Sequence, residues 1–169
     1  MAIPPFAVLS TFYPNYWFYR SPKDVQKLIG GETQEGDITN TCAIRMSHAM
    51  NGAGVQVPRN WGKVTNRRGA NKRYYILRVS DLRSWMQSRF GAPTLELRKK
   101  AGRAFDRKEI EGYLGVIAFD IGFTDATGHF DLWYGDRFSH EDSAGKDYFA
   151  VASRVSLWHD GVRTLTAPV

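Results

Sequence analysis

A chain of 169 residues with 43% hydrophobic and 14% aromatic content is long enough for one folded domain. A domain of that size buries roughly 70% of its unfolded surface. Its one cysteine excludes a disulfide framework within the chain, and no apolar run is long enough to span a membrane. The formal net charge of +6 and pI near 9.5 favour polyanions such as nucleic acid, anionic membrane surface or acidic cell-wall polymer, yet no helix-turn-helix, RNP signature or zinc-finger spacing marks a nucleic-acid module.

The N-terminus, Met1 to Phe6, has no basic n-region and no long apolar stretch. Synthesis in the cytoplasm without a signal peptide is expected, and no membrane insertion. The segment from Phe6 to Tyr19 carries Phe12, Tyr13, Tyr16, Trp17, Phe18 and Tyr19. These aromatics are expected to pack under a sheet, with stacking on sugar rings as the functional alternative. Ser21-Pro22 opens a helix, Val25, Leu28 and Ile29 form its apolar stripe, and Gly30-Gly31 stops it. A polar loop then leads to Thr39-Asn40-Thr41-Cys42, where three N-cap residue types precede a helix-compatible run that ends at Asn51-Gly52. Ala43, Met46 and Met50 share one face of it.

Residues Gln56 to Lys72 read as a loop and Tyr74 to Val79 as a strand. Ser80 is expected to cap a helix with Leu82, Trp85, Met86 and Phe90 at 3–4 spacing, ended by Gly91 and Pro93. Leu95 and Leu97 suit a short strand, Asp106 to Tyr113 a helical turn or loop, and Leu114 to Ile121 a buried strand. Gly122 to Gly128 reads as a turn, His129 to Tyr134 as a strand, and Tyr148 to Trp158 as one or two more. Helices come first, then mainly strands joined by short turns. The predicted class is therefore α+β, with N-terminal helices packed on an antiparallel sheet in one domain spanning residues 1–169. Basic residues cluster at Arg67-Arg68 and Lys72-Arg73, and again from Arg98 to Lys108. Solvated loops account for both clusters.

Two stretches carry chemistry. Cys42 is expected in the first turn of its helix, where unpaired N–H groups and the macrodipole favour an anion and can lower a thiol pKa from about 8.5 to roughly 3.5–7.5. The alternative is a small buried apolar residue. His129 follows Gly128 at a strand start, a place for a general base. Strand alternation puts His129, Asp131 and Trp133 on one face and Phe130, Leu132 and Tyr134 on the other. Among the other histidines, His48 lies six residues after Cys42 and so faces another side of the helix. One cysteine and scattered histidines give no zinc spacing, so no metal or cofactor is expected.

The run Asn-x-Cys-x-Ile-Arg-Met-Ser (Asn40 to Ser47), with Gly-His-x-x-Leu-Trp-x-Gly (Gly128 to Gly135) nearly ninety residues later, resembles the type VI secretion amidase effectors of the fourth family, in the papain-like NlpC/P60 group. Ile29-Gly31, Tyr74 to Val79 and Leu157-Trp158 agree, colinearly over most of the chain. The resemblance implies an antibacterial cysteine amidase, injected by the type VI apparatus into a rival's periplasm. There it would cut the peptidoglycan stem peptide between D-glutamate and meso-diaminopimelate, and a cognate immunity protein would guard the producer. Cys42 corresponds to the nucleophile and His129 to the base. The family's third residue, an aspartate about eleven positions after that histidine, falls here on His140, next to Glu141 and Asp142. The expectation is that His140 orients His129 from a returning strand, with Asp142 and Asp131 as alternatives, and that the Cys42 N–H donates to the oxyanion.

Overall fold

The computed structural model describes residues 1–101, 103–122 and 128–163. The predicted turn at Gly122 to Gly128 falls mostly outside them. In chain order the elements are α1 (Phe6–Phe12), α2 (Pro22–Ile29), α3 (Cys42–Gly52), β1 (Arg67–Arg68), β2 (Tyr74–Tyr75), α4 (Val79–Phe90), β3 (Leu95–Arg98), β4 (Tyr113–Asp120), β5 (Gly128–Trp133), α5 (Ser139–Ala144), α6 (Tyr148–Val151) and β6 (Arg154–Arg163). The class is α+β. Four strands form an antiparallel sheet in the order β3-β6-β4-β5, and β1 pairs with β2 in a separate ribbon.

The sheet is covered on both faces. On one, Val116, Ala118, Phe130, Leu132 and Trp158 pack against Leu9 of α1, Met46 and Met50 of α3 and Met86 of α4. On the other, Ile117, Phe119, Trp133 and Leu157 pack against Phe138, Tyr148 and Phe149. This explains why β5, although an edge strand in its sheet, is buried at every residue. The alternation expected for β5 holds: Phe130 and Leu132 join the first core and Trp133 the second. A third cluster joins Val25 and Ile29 of α2 to Ile44 of α3. Helix α3 is thereby buried nearly all round, not on the one face its Ala43-Met46-Met50 stripe suggested.

Local chemistry explains several boundaries. Helix α2 starts as predicted: Ser21 Oγ accepts from the Asp24 N–H at 3.2 Å and Asp24 accepts from the Ser21 N–H at 2.8 Å, with Pro22 at the first helical position. Leu28, assigned to its apolar stripe, is on the surface. The aromatic N-terminal segment contains a helix, α1, and of its rings Tyr13 and Tyr16 are buried while Phe12 and Phe18 are exposed. The strand expected from Tyr74 to Val79 pairs only at Tyr74–Tyr75, because α4 begins at Val79 with Arg78 as its N-cap residue. Ser80 lies inside that helix and does not cap it. Tyr148 to Val151 forms one helical turn, not a strand, because the Asp147 carboxylate accepts from the Ala150 N–H at 3.2 Å and caps it.

In the β4–β5 register, Phe119 opposes His129 and Asp120 opposes Gly128. Gly128 marks a close backbone approach, since a Cβ there would stand 2.2 Å from the Phe119 carbonyl oxygen. Replacing Gly128 by Ala must push the start of β5 off β4, at about 1–3 kcal/mol. We expect Gly128→Ala to unfold several degrees lower by circular dichroism and, because His129 is the next residue, to lose activity by more than its folded fraction accounts for.

Candidate active site

Helix α3 presents Cys42 at its first residue, but the capping differs from expectation. Thr41 occupies the N-cap position without a side-chain cap, and Asn40 Oδ1 accepts from the Cys42 N–H at 3.1 Å. The expected oxyanion donor is therefore already engaged. The thiol is 0% exposed, and burial pushes its pKa up to about 12, against a smaller opposing effect of the Phe130 main chain. The lowering expected at a helix start is outweighed because the thiol loses its water.

Three residues further on, Arg45 is also 0% exposed. Its Nε donates to Thr41 Oγ1 at 3.1 Å, Nη1 to the Pro14 carbonyl at 2.5 Å and Nη2 to the Tyr19 carbonyl at 2.7 Å. Its guanidinium lies 3.7 Å from the centre of the Tyr16 ring. The other face of Tyr16 takes His140, stacked at 3.9 Å and 7° from parallel. Among the described residues, no carboxylate comes within ion-pair reach of Arg45. A guanidinium can be buried this way because neutral carbonyls and a ring face satisfy its donors and spread its charge.

His129 is 3% exposed, packed against the rings of Tyr148, His140 and Tyr16. Its Nε2 stands 3.7 Å from Asp131 Oδ2, too far for a hydrogen bond but close enough for a strong charge interaction on protonation. Burial lowers the His129 pKa, and Asp131 opposes that shift. Asp131 is itself fully buried and held by three donors: the Leu132 N–H at 2.7 Å, the Ser139 hydroxyl at 3.0 Å and the His140 N–H at 3.0 Å. Donors of this kind stabilise an ionised carboxylate.

Of the predicted residues, His129 and His140 lie together around Asp131, in an arrangement not foreseen from the sequence. His140 sits on the short helix α5, not on a returning strand. Its main-chain N–H holds Asp131, while its ring Nδ1 shares a 2.9 Å hydrogen bond with the Tyr148 hydroxyl. No hydrogen bond joins the His140 and His129 rings, whose centres lie 5.0 Å apart. Burial, chiefly, and the neighbouring His129 lower the His140 pKa to about 3, so its ring is neutral. Nor does the Cys42 thiol hydrogen-bond His129 in this state. Catalytic hydrogen bonds in free enzymes are often long and tighten on substrate binding. The Asp142 side chain lies outside the described parts. Sequence reasoning passed over Arg45 and Ser139; a lone arginine among Ala43, Ile44 and Met46 was the available signal for the first.

Tyr16, Thr41, Arg45, His129, His140 and Tyr148 line a cleft of about 300 Å³, whereas the fully buried Cys42 and Asp131 lie behind its walls. Of the basic residues expected in solvated loops, four are tied down: Arg67 donates to the Glu32 and Glu35 carbonyls, Arg98 pairs with Glu96 at 2.8 Å, Lys99 donates to the Ala150 carbonyl at 2.9 Å, and Arg107 pairs with Glu141 at 2.6 Å.

Comparison with solved structures gives the class first. Over 92% of this chain and 98% of theirs, it is similar to the Tae4/Tai4 effector–immunity system of Salmonella typhimurium (27% identity, TM-score 0.78) and to the type VI effector–immunity complex Tae4-Tai4 of Enterobacter cloacae (29%, 0.75). The effector Tae4 of Enterobacter cloacae solved alone covers 94% of this chain and 99% of its own (27%, 0.73). Comparison with curated protein sequences gave no match. The family model for type VI secretion system amidase effector protein 4, Tae4, matches residues 38–158, and the chain belongs to that family. It is accordingly an amidase effector of the type VI secretion system, which makes it a hydrolase.

Two outcomes follow from this geometry. If Asp131 fixes His129, Asp131→Asn lowers the rate of amide cleavage by 10²-fold or more, whereas His140→Gln, which keeps the main-chain N–H, lowers it by about tenfold at most; rates on purified substrate decide between them. The second concerns pH. Burial depresses the pKa values of His48, His129 and His140 in the fold. Below the ordinary histidine value near 6.5, the unfolded chain binds protons that the folded chain does not. Stability is therefore complete above that value and falls as pH drops from about 6.5 towards 4, and His140→Gln should flatten the fall in melting temperature.

Proposed function

We propose that the chain hydrolyses an amide bond of the peptidoglycan stem peptide, between D-glutamate and meso-diaminopimelate, as a single papain-like NlpC/P60 cysteine amidase. The observation that carries the reading is the buried His129–Asp131 pair beside the Cys42 helix start. Cys42 is the nucleophile, His129 the base and Asp131 the residue that orients and charges it. This departs from the expected His140, which supports the carboxylate through its main chain and walls the cleft with its ring. No cofactor takes part.

The ring nitrogen of His129 turned to Asp131 is Nε2, which leaves Nδ1 for the thiol. As the sulfur attacks the carbonyl carbon, Nδ1 takes its proton, and Asp131 stabilises the imidazolium. The oxyanion draws the Cys42 N–H away from Asn40 Oδ1, and the Asn40 carboxamide, which lines the cleft, turns aside. The C–N bond breaks, the imidazolium protonates the leaving amine, and water hydrolyses the thioester. A resting neutral thiol and neutral imidazole become an ion pair only when substrate closes the distance between them.

The solved relatives were captured with immunity proteins, which supports a cognate immunity protein for this chain. Family membership supports export by the type VI apparatus and action in the target periplasm. The charge of +6 favours an acidic wall over a neutral one. A second reading, as a basic binding domain with an inert thiol, draws on the complete burial of Cys42.

Cys42→Ala should abolish the release of new amines from purified sacculi, by at least about 10³-fold, with an unchanged circular dichroism spectrum. Sacculi digested equally by wild type and Cys42→Ala would end the cysteine mechanism. Expressed with a periplasmic signal the wild type should lyse a Gram-negative host, and without one it should be tolerated.

A further inference from the structure

We propose that the catalytic cleft continues into a second hollow along α2, and that this groove binds the carboxylate-bearing arm of the stem peptide through Lys23 and Lys27. The proposal rests on the peptidoglycan reading given above. The hollow measures about 560 Å³ and lies between α2 and residues 34–39. Pro22 and Thr39 line both it and the cleft that holds His129, so the two are continuous. Both hinge residues have fixed positions. Pro22 is the first residue of a helix locked by a reciprocal cap, and Thr39 adjoins Asn40, whose side chain holds the Cys42 N–H. A peptide lying in the groove is therefore led to the start of α3.

The charges along this path are one-sided. Lys23 and Lys27 line the outer hollow, Arg20 and Lys146 the inner, and among the residues lining either, Asp37 is the one carboxylate. Among the described residues, neither lysine of α2 is engaged by an acidic side chain. Elsewhere the chain does pair its basic groups, as Arg83 and Arg154 do with Asp120. The proposed substrate carries free carboxylates next to the scissile amide, on D-glutamate and on diaminopimelate, and these are ionised at neutral pH. A glycan strand without them has no need of cations. Cationic walls around an anionic peptide supply orientation and capture rate more than raw affinity, so their removal should fall on KM and spare kcat.

The test measures binding and turnover separately. In a Cys42→Ala background, binding of a stem tetrapeptide with free carboxylates is followed by calorimetry. Lys23→Glu/Lys27→Glu should weaken it roughly 10-fold, and the loss should shrink in about 0.5 M salt. The same pair in the active enzyme should raise KM by a similar factor with kcat within about twofold. Lys100→Glu/Arg103→Glu, an equal charge change in another exposed loop, should do neither. A tetrapeptide amidated at its carboxylates should bind the wild-type groove more weakly and be indifferent to the α2 substitutions. Equal weakening by both charge reversals, unchanged binding, or equal loss on the amidated peptide would overturn the groove. Peptide bound through the lysines by a wild type that releases no amine would overturn only the catalytic reading.

Discussion

The architecture of the site depends on the burial of one guanidinium. Among the described residues Arg45 has no acidic partner, and what compensates its charge is main chain: the Pro14 and Tyr19 carbonyls, with the Tyr16 ring across its face. The segment supplying those groups precedes α2 and has little regular structure of its own between α1 and Ser21. Arg45 thus holds an irregular strap against the helix that carries Cys42, and the strap in turn brings Tyr16 under His140. Losing the donors would leave the buried Pro14 carbonyl unsatisfied, at about 1–3 kcal/mol, and the half-buried Tyr19 carbonyl unpaired. The stack Arg45–Tyr16–His140 is therefore a mechanical link from the helix that carries Cys42 to the helix whose N-terminus secures Asp131.

In the proposed reading, Asp131 lets the site keep its chemistry while the carboxylate changes place. Position 140 holds a histidine where the family resemblance leads one to expect an acid, yet a carboxylate stands two residues from His129 on the same strand face. A strand repeat of about 6.6–6.8 Å separates such neighbours, which suffices for Nε2 and Oδ2 to approach when both side chains lean together. Position 140 still matters, because its N–H, with Ser139 Oγ, fixes the Asp131 oxygens. In the proposed reading the orienting side chain is that of Asp131, and position 140 contributes through its main chain.

The parts of this arrangement that were legible in the sequence were governed by local rules. Ser21-Pro22 fixed the start of α2, the apolar run after Tyr113 fixed β4, and period-two alternation sorted the faces of β5. The parts that were not legible depend on what comes from elsewhere in the chain. Tyr148 and Phe149 have strand-forming character, but Asp147 caps them into a helical turn that closes one face of the sheet. The shift of the α4 start to Val79 cuts short the run that Tyr74 and Tyr75 begin. Cys42 was placed correctly at a helix start, whereas its ionisation was not, because helix position is local and burial is a property of the whole fold. Arg45 and Ser139 act through partners 26 to 31 and 8 residues away, and no periodicity encodes such pairings.

The sealed thiol has a consequence for survival as well as for chemistry. Oxidants and disulfides react with thiolate, and the burial that raises the Cys42 pKa keeps the sulfur in its protonated form at neutral pH. With no surface exposed in the free protein, Cys42 is shielded from glutathione or a peroxide until, in the proposed reading, substrate binding uncovers the sulfur. The chain carries no second cysteine that could rescue it through exchange. A protein armed with a single sulfur thus holds it in its least oxidisable form by burial alone.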